Sequence, residues 1–143
     1  MRLRLPPTVA VATALALGTL VAGCGGGVLS ADLFEVKRTG TVPGAPLDLV
    51  VNDGGTARCN EKSPQPISAP ELLAARDLQR QIQPLLARGA ALPAGSAPVF
   101  NYSVRDQDGH LRFSDDSAGQ PPALFRLALL TRQIARGDCH LPR

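Results

Sequence analysis

Ser68-Ala69-Pro70-Glu71-Leu72-Leu73-Ala74-Ala75-Arg76-Asp77-Leu78-Gln79-Arg80-Gln81-Ile82-Gln83-Pro84-Leu85-Leu86-Ala87-Arg88-Gly89 is the stretch that decides the fold. Ser68 followed three residues later by Glu71 is the reciprocal capping pattern that opens a helix. Pro70 falls in the first turn, where a missing N–H costs no internal hydrogen bond. Leu72, Ala75, Leu78, Ile82 and Leu85 recur at helical spacing, while Arg76, Gln79, Arg80 and Gln83 take the opposite face. An amphipathic helix of this kind must lay its apolar stripe on another layer. Pro84 is expected to kink or break it one turn before Gly89, because the ring clashes with the carbonyl four residues back.

The flanking segments supply that layer. Leu33 to Lys37 and Leu47 to Val51 have strand composition and are separated by the breaker cluster Gly40 to Pro46. Asn52-Asp53-Gly54-Gly55 tolerates positive φ, so the chain is expected to reverse into a short strand holding Thr56 to Cys59. Glu61 to Ile67, with Pro64 and Pro66, reads as a loop, and so does Ala90 to Pro98. Phe100, Tyr102 and Val104 then alternate with Asn101, Ser103 and Arg105; Asp108-Gly109 marks a turn, and Leu111 and Phe113 continue the alternation. A last helix is expected over Pro122 to Arg136, with Leu124, Leu127, Ala128, Thr131, Ile134 and Ala135 on one stripe and Gly137 as its stop. Strands, helix, hairpin and helix in that order predict an α+β domain. Its single antiparallel sheet is a three-strand meander plus a hairpin, with the two helices packed mainly on one face.

The first 24 residues carry a different message. Arg2 and Arg4 precede the apolar run Thr8 to Leu20, which is shorter than the roughly 20 residues a membrane span requires, and the run leads into Leu20-Val21-Ala22-Gly23-Cys24. A basic start, an apolar core and small residues before a cleavage point make a targeting peptide. The pattern resembles the signal of bacterial lipoproteins. That resemblance implies cleavage between Gly23 and Cys24, acylation of Cys24 by chains such as palmitate, and a protein held on the extracytoplasmic face of the cell membrane; an ordinary cleaved signal or an uncleaved anchor is the alternative. At about 0.8 kcal/mol per buried methylene, two or more chains hold stably where one does not. The expected organisation is a signal peptide over 1–23, a lipidated tether over 24–31 that contains Gly25, Gly26 and Gly27, and one domain over 32–143.

Taking Arg2 and Arg4 from the 15 basic residues leaves 13 against 12 acidic ones, a net charge of +1 for residues 24–143. No clustered basic patch with interleaved aromatics remains, which argues against nucleic acid as a partner. Of the three cysteines, Cys24 takes the lipid, and Cys59 with Cys139 are expected to form a disulfide, two buried thiols being the alternative. Two thiols with only His140 near them do not make a zinc site.

Enzymatic chemistry finds little footing. Nucleophilic catalysis needs a nucleophile, a base and an orienting group brought together; His110 beside a turn and His140 near the C-terminus are the two histidines, and His110 reads as a solvent-facing strand residue. Ser96 lacks the strand-turn-helix frame of a nucleophile elbow. Asp106, Asp108, Asp115 and Asp116 cluster, yet Leu111 stands where a calcium loop needs glycine and Ser117 where it needs glutamate; turn and helix-start roles explain all four. No phosphate-binding glycine loop opens a helix. The expectation is a protein without catalytic residues, metal or cofactor.

Phe34-Glu35-Val36-Lys37-Arg38, Phe100-Asn101-Tyr102-Ser103-Val104 and Arg112-Phe113-Ser114-Asp115-Asp116, followed by a Leu-rich final helix, together resemble emfourin-type proteins, small bacterial inhibitors of thermolysin-like metalloproteases. The resemblance implies a non-enzymatic binding module whose partner is an extracellular metalloprotease. The lipid signal, the two later cysteines and the longer proline-rich loops depart from that pattern, so no inhibitor residue is carried over. A hairpin edge or the proline-containing Thr41 to Pro46 loop is the expected working surface. The alternatives are an envelope accessory lipoprotein with a structural partner and, last, a hydrolase with dispersed catalytic residues.

Overall fold

The computed structural model describes residues 31–141. The expected signal peptide, the cleavage site at Gly23 and Cys24, the acylated Cys24 and the tether up to residue 30 lie outside the described residues.

Strands β1 (Asp32–Gly40), β2 (Leu47–Asn52), β3 (Thr56–Cys59) and β4 (Gln65–Pro66) precede helix α1 (Ala69–Ala87); the hairpin β5 (Phe100–Arg105) and β6 (His110–Ser114) follows, then helix α2 (Pro122–Gly137). The chain is α+β, with one antiparallel sheet in the order β4-β3-β2-β1-β5-β6. Two features differ from the expected meander plus hairpin. Gln65 and Pro66, read as loop, pair with Ala57 and Thr56 and add a strand. Leu33 is an extra residue between the pairs Asp32↔Asn52 and Phe34↔Val51, a β-bulge at the entry to β1.

Alternation decides the faces. Phe34, Val36, Leu49, Val51, Val104 and Leu111 are at most 1% exposed and share one core with Ile82 and Leu86 of α1 and Leu124, Leu127 and Ile134 of α2. Tyr102 and Phe113 stack in that core with ring centroids 4.8 Å apart. The opposite face carries Glu35, Lys37, Asp48 and Arg105, linked by ion pairs of 2.5–3.4 Å; exposed pairs of this sort are worth about 0–1 kcal/mol each.

The capping box forms as read: the Ser68 N–H donates to Glu71 Oε2 at 2.9 Å, and the Glu71 N–H donates to Ser68 Oγ at 3.4 Å. Pro84 does not break α1, which runs on to Ala87 before Gly89 at φ 62°. Pro84 and Arg80 both lie on the exposed side, so the Arg80 carbonyl left without its donor faces water, where the loss is small. Arg76 ties α1 to the β2–β3 turn by donating to Asp53 Oδ1 at 2.6 Å and to the Asp53 carbonyl at 2.9 Å. Cys59 and Cys139 stand at disulfide distance, Sγ to Sγ 2.08 Å with Cα atoms 6.0 Å apart, and join β3 to the end of α2. Among the described residues, no helix is long and apolar enough to cross a membrane.

Candidate functional site

A free sheet edge offers a row of unpaired donors and acceptors to a partner strand. On this molecule both edges are blunted. Along β6 the Arg112 N–H donates to the Ala90 carbonyl at 2.8 Å and the Arg112 carbonyl accepts from Leu92 at 2.8 Å. The Ser114 N–H donates to Ser117 Oγ at 2.9 Å, and its carbonyl accepts from Gln120 Nε2 at 2.8 Å. The other edge is the two-residue β4, where Pro66 has no N–H. Of the two expected working surfaces, the hairpin edge is therefore occupied, and the Thr41 to Pro46 loop remains.

That loop is held tightly. The Ala45 N–H donates to the Val42 carbonyl at 3.1 Å, and with Pro43 second and Gly44 third at φ 75° the segment Val42 to Ala45 has the signature of a type II turn. At Gly40 a Cβ would sit 2.3 Å from the Val99 carbonyl oxygen, so only glycine lets β1 run this close to the chain entering β5. Arg38 clamps the turn from beneath. Its Nε donates to the Ala45 carbonyl at 2.8 Å, one Nη donates to the Gly44 carbonyl at 3.2 Å, and the guanidinium lies 5.0 Å from the centroid of the Phe100 ring.

Beside the turn lies a groove of about 500 Å³ lined by Arg38, Val42, Pro43, Gly44, Phe100, Arg132, Ala135, Arg136 and Leu141. Three of these residues are arginines and none is acidic. Burial, then the positive charges of Arg132 and Arg136, push the Arg38 guanidinium below the usual range; the charge of Tyr102 opposes them. Burial pushes the Tyr102 hydroxyl up, although Arg38 and Arg132 oppose it. Neither Arg132 nor Arg136 forms an ion pair among the described residues.

The sequence missed this convergence, though two signals pointed to it. Arg38 shares the strand parity of Phe34 and Val36, so a charge stands on the core face of β1. Phe125 and Leu129, 57% and 51% exposed, share the outer stripe of α2 with Arg132 and Arg136 at helical spacing.

Three of the four clustered aspartates fix local backbone. Asp106 accepts from the backbone of Asp108 and Gly109, and Asp115 from that of Val99 and Phe100. Asp116 accepts from Gly95, Ala97 and the Ser114 hydroxyl, and the Ser114 hydroxyl and these backbone N–H groups hold its carboxyl below the usual range. No group of three His, Cys, Asp or Glu is placed to hold a metal among the described residues. Ser96 is exposed in its loop, and His110 lies beside Gly89.

Ser63, Asp138 and His140 do share a cleft of about 240 Å³ with Lys62, Gln65 and Cys139. Ser63 and His140 are exposed, and no hydrogen bond links the three, so nothing there activates a nucleophile. Asp138 Oδ2 is buried without a partner; burial first, then Glu71, push its carboxyl up, with His140 opposing. Between its ordinary and raised pKa the native state holds a proton that the unfolded state has lost, so stability falls as pH rises through that window. Asp138→Asn is accordingly expected to melt above the wild type at pH 7 and level with it near pH 3. Thermal denaturation at the two pH values checks this, and a lower midpoint at pH 7 would contradict it.

Compared with known proteins, the chain matches no protein-family profile, no curated protein and no solved structure.

Proposed function

We propose that the protein is a non-enzymatic binding module, held by lipid on Cys24 at the extracytoplasmic face of the cell membrane, which engages a protein partner through the Val42 to Ala45 turn and the groove beside it. The observation that carries this reading is the turn itself. A surface loop fixed by a type II turn, an arginine clamp and a glycine close contact is ordered before it meets a partner, which lowers the cost of binding. A disulfide joining β3 to the end of α2 suits an oxidising compartment and supports the extracytoplasmic placement. The resemblance to emfourin-type inhibitors names the partner class, an extracellular metalloprotease.

Two measurements test the reading. The intact mass of the protein from its own membrane should show residues 1–23 removed and acyl chains on Cys24, and incorporation of labelled fatty acid should vanish in Cys24→Ala; an unmodified Cys24 rejects the anchor. Titration of the oxidised protein into a thermolysin-like protease should remove peptide hydrolysis stoichiometrically while the protein stays uncleaved. Unchanged hydrolysis rejects the protease as partner.

A further inference from the structure

We infer that the arginine groove takes an acidic segment of a protein partner, an extended run of about five or six residues that pairs carboxylates with an aliphatic or aromatic side chain. This rests on the binding-module reading and adds the chemistry of what is bound. Three guanidinium groups directed to one groove, with no carboxylate beside them among the described residues, repel one another, and partial burial strengthens the repulsion. Arg136 by itself has an ordinary role, since it sits in the last turn of α2 and complements the helix dipole. Arg38 clamps the turn, yet it comes from a strand, is half-buried, and among the described residues is met only by backbone carbonyls and a ring face. Arginine forks of this kind match carboxylates two bonds at a time.

The apolar half of the ligand follows from the rest of the surface. Phe125 and Leu129 continue the Arg132–Arg136 stripe along α2, and Val42, 40% exposed, stands at the groove's far wall. Phe125 to Arg136 spans about 16 Å of helix, the reach of five residues of extended chain. The direction of β1 favours a protein over lipid headgroups. The proposed tether joins the strand at Asp32, whereas Arg38, Phe100 and the turn lie at the Gly40 end of the same strand, the end of the sheet away from that junction.

The test screens random hexapeptides on neutral polyether resin with the full processed lipoprotein in neutral detergent, alongside its Arg132→Gln/Arg136→Gln variant. The expected consensus holds Asp or Glu beside Leu, Ile or Phe. Affinity for the resynthesised consensus peptide should fall with salt and drop about tenfold or more in the variant, while far-ultraviolet circular dichroism stays unchanged. Arg132 and Arg136 are exposed, so the variant keeps the fold. A neutral or basic consensus, no consensus, or equal binding by the variant overturns the inference. So does arginine-dependent binding to phosphatidylglycerol vesicles in place of peptide, which would make the ligand a headgroup. Protease inhibition that survives in the variant also overturns the groove but keeps the module; an unacylated Cys24 removes the anchor and leaves the peptide result standing.

Discussion

Replacing Cys59 and Cys139 with alanine is expected to lower the unfolding free energy by about 4 to 5 kcal/mol in the chain-entropy model. The two residues are 80 apart in sequence, so the bond closes most of the domain into one loop in the unfolded state and removes much of that state's freedom. In the folded state the cross-link is local. Cys59 lies in β3 and Cys139 just past α2, and the Cys139 N–H donates to the Ile134 carbonyl at 3.0 Å. Without the bond, the turn that brings Leu141 to the groove loses its covalent attachment to the sheet. Urea denaturation of oxidised wild type and of the double variant reads the difference as a shift in midpoint, since the loss is a large share of the 5–15 kcal/mol typical of a native domain. A difference below about 1 kcal/mol would mean that the cross-link closes no costly loop.

Most of the fold was legible because its signals were local and redundant. The Ser68–Glu71 box, the 3.6-residue stripe of α1, the period-two alternation of Phe100 to Phe113 and the Asp108-Gly109 turn each named one structure and agreed with the neighbouring elements. What the sequence left open depends on surroundings. Of the kink or break expected at Pro84, the break does not occur; the orphaned Arg80 carbonyl lies on the exposed side of α1, a placement decided by the packing of α1 on the sheet. Gln65 and Pro66 have too few residues to show a period; β3 makes them a strand. The Leu33 bulge leaves no mark in composition, because it exists only relative to the register of β2.

The groove was harder to read for a different reason. Arg38, Arg132 and Arg136 come from a strand and from a helix nearly a hundred residues later, so no window of sequence contains them. Net charge hid them as well, since a balance of +1 over residues 24–143 averages an arginine cluster that has no ion pair among the described residues with paired charges on the outer face of the sheet. What the sequence did display was a breach of pattern: a charge at a core-parity position of β1, and Phe125 with Leu129 outside the buried stripe of α2. Breaches of that kind are where function is expected to override folding preference.

Leu124 and Leu129 turn that argument into a second large expected effect. Both are leucines of α2, yet Leu124 is fully buried at 0% exposure and Leu129 is 51% exposed. Leu124→Ala removes a side chain packed in the core shared by both helices and the sheet, and should cost about 2 to 5 kcal/mol through lost transfer energy and the cavity left behind. In a domain of this size that corresponds to a melting midpoint lower by roughly 10 to 20 °C. Leu129→Ala leaves no cavity and should stay within about 0.5 kcal/mol of wild type, while weakening an acidic consensus peptide that rests its apolar side chain on this stripe. Thermal denaturation and peptide titration of the two variants separate the roles. Comparable destabilisation by both would show Leu129 to be a packing residue, and the apolar half of the groove's ligand would then lose its seat.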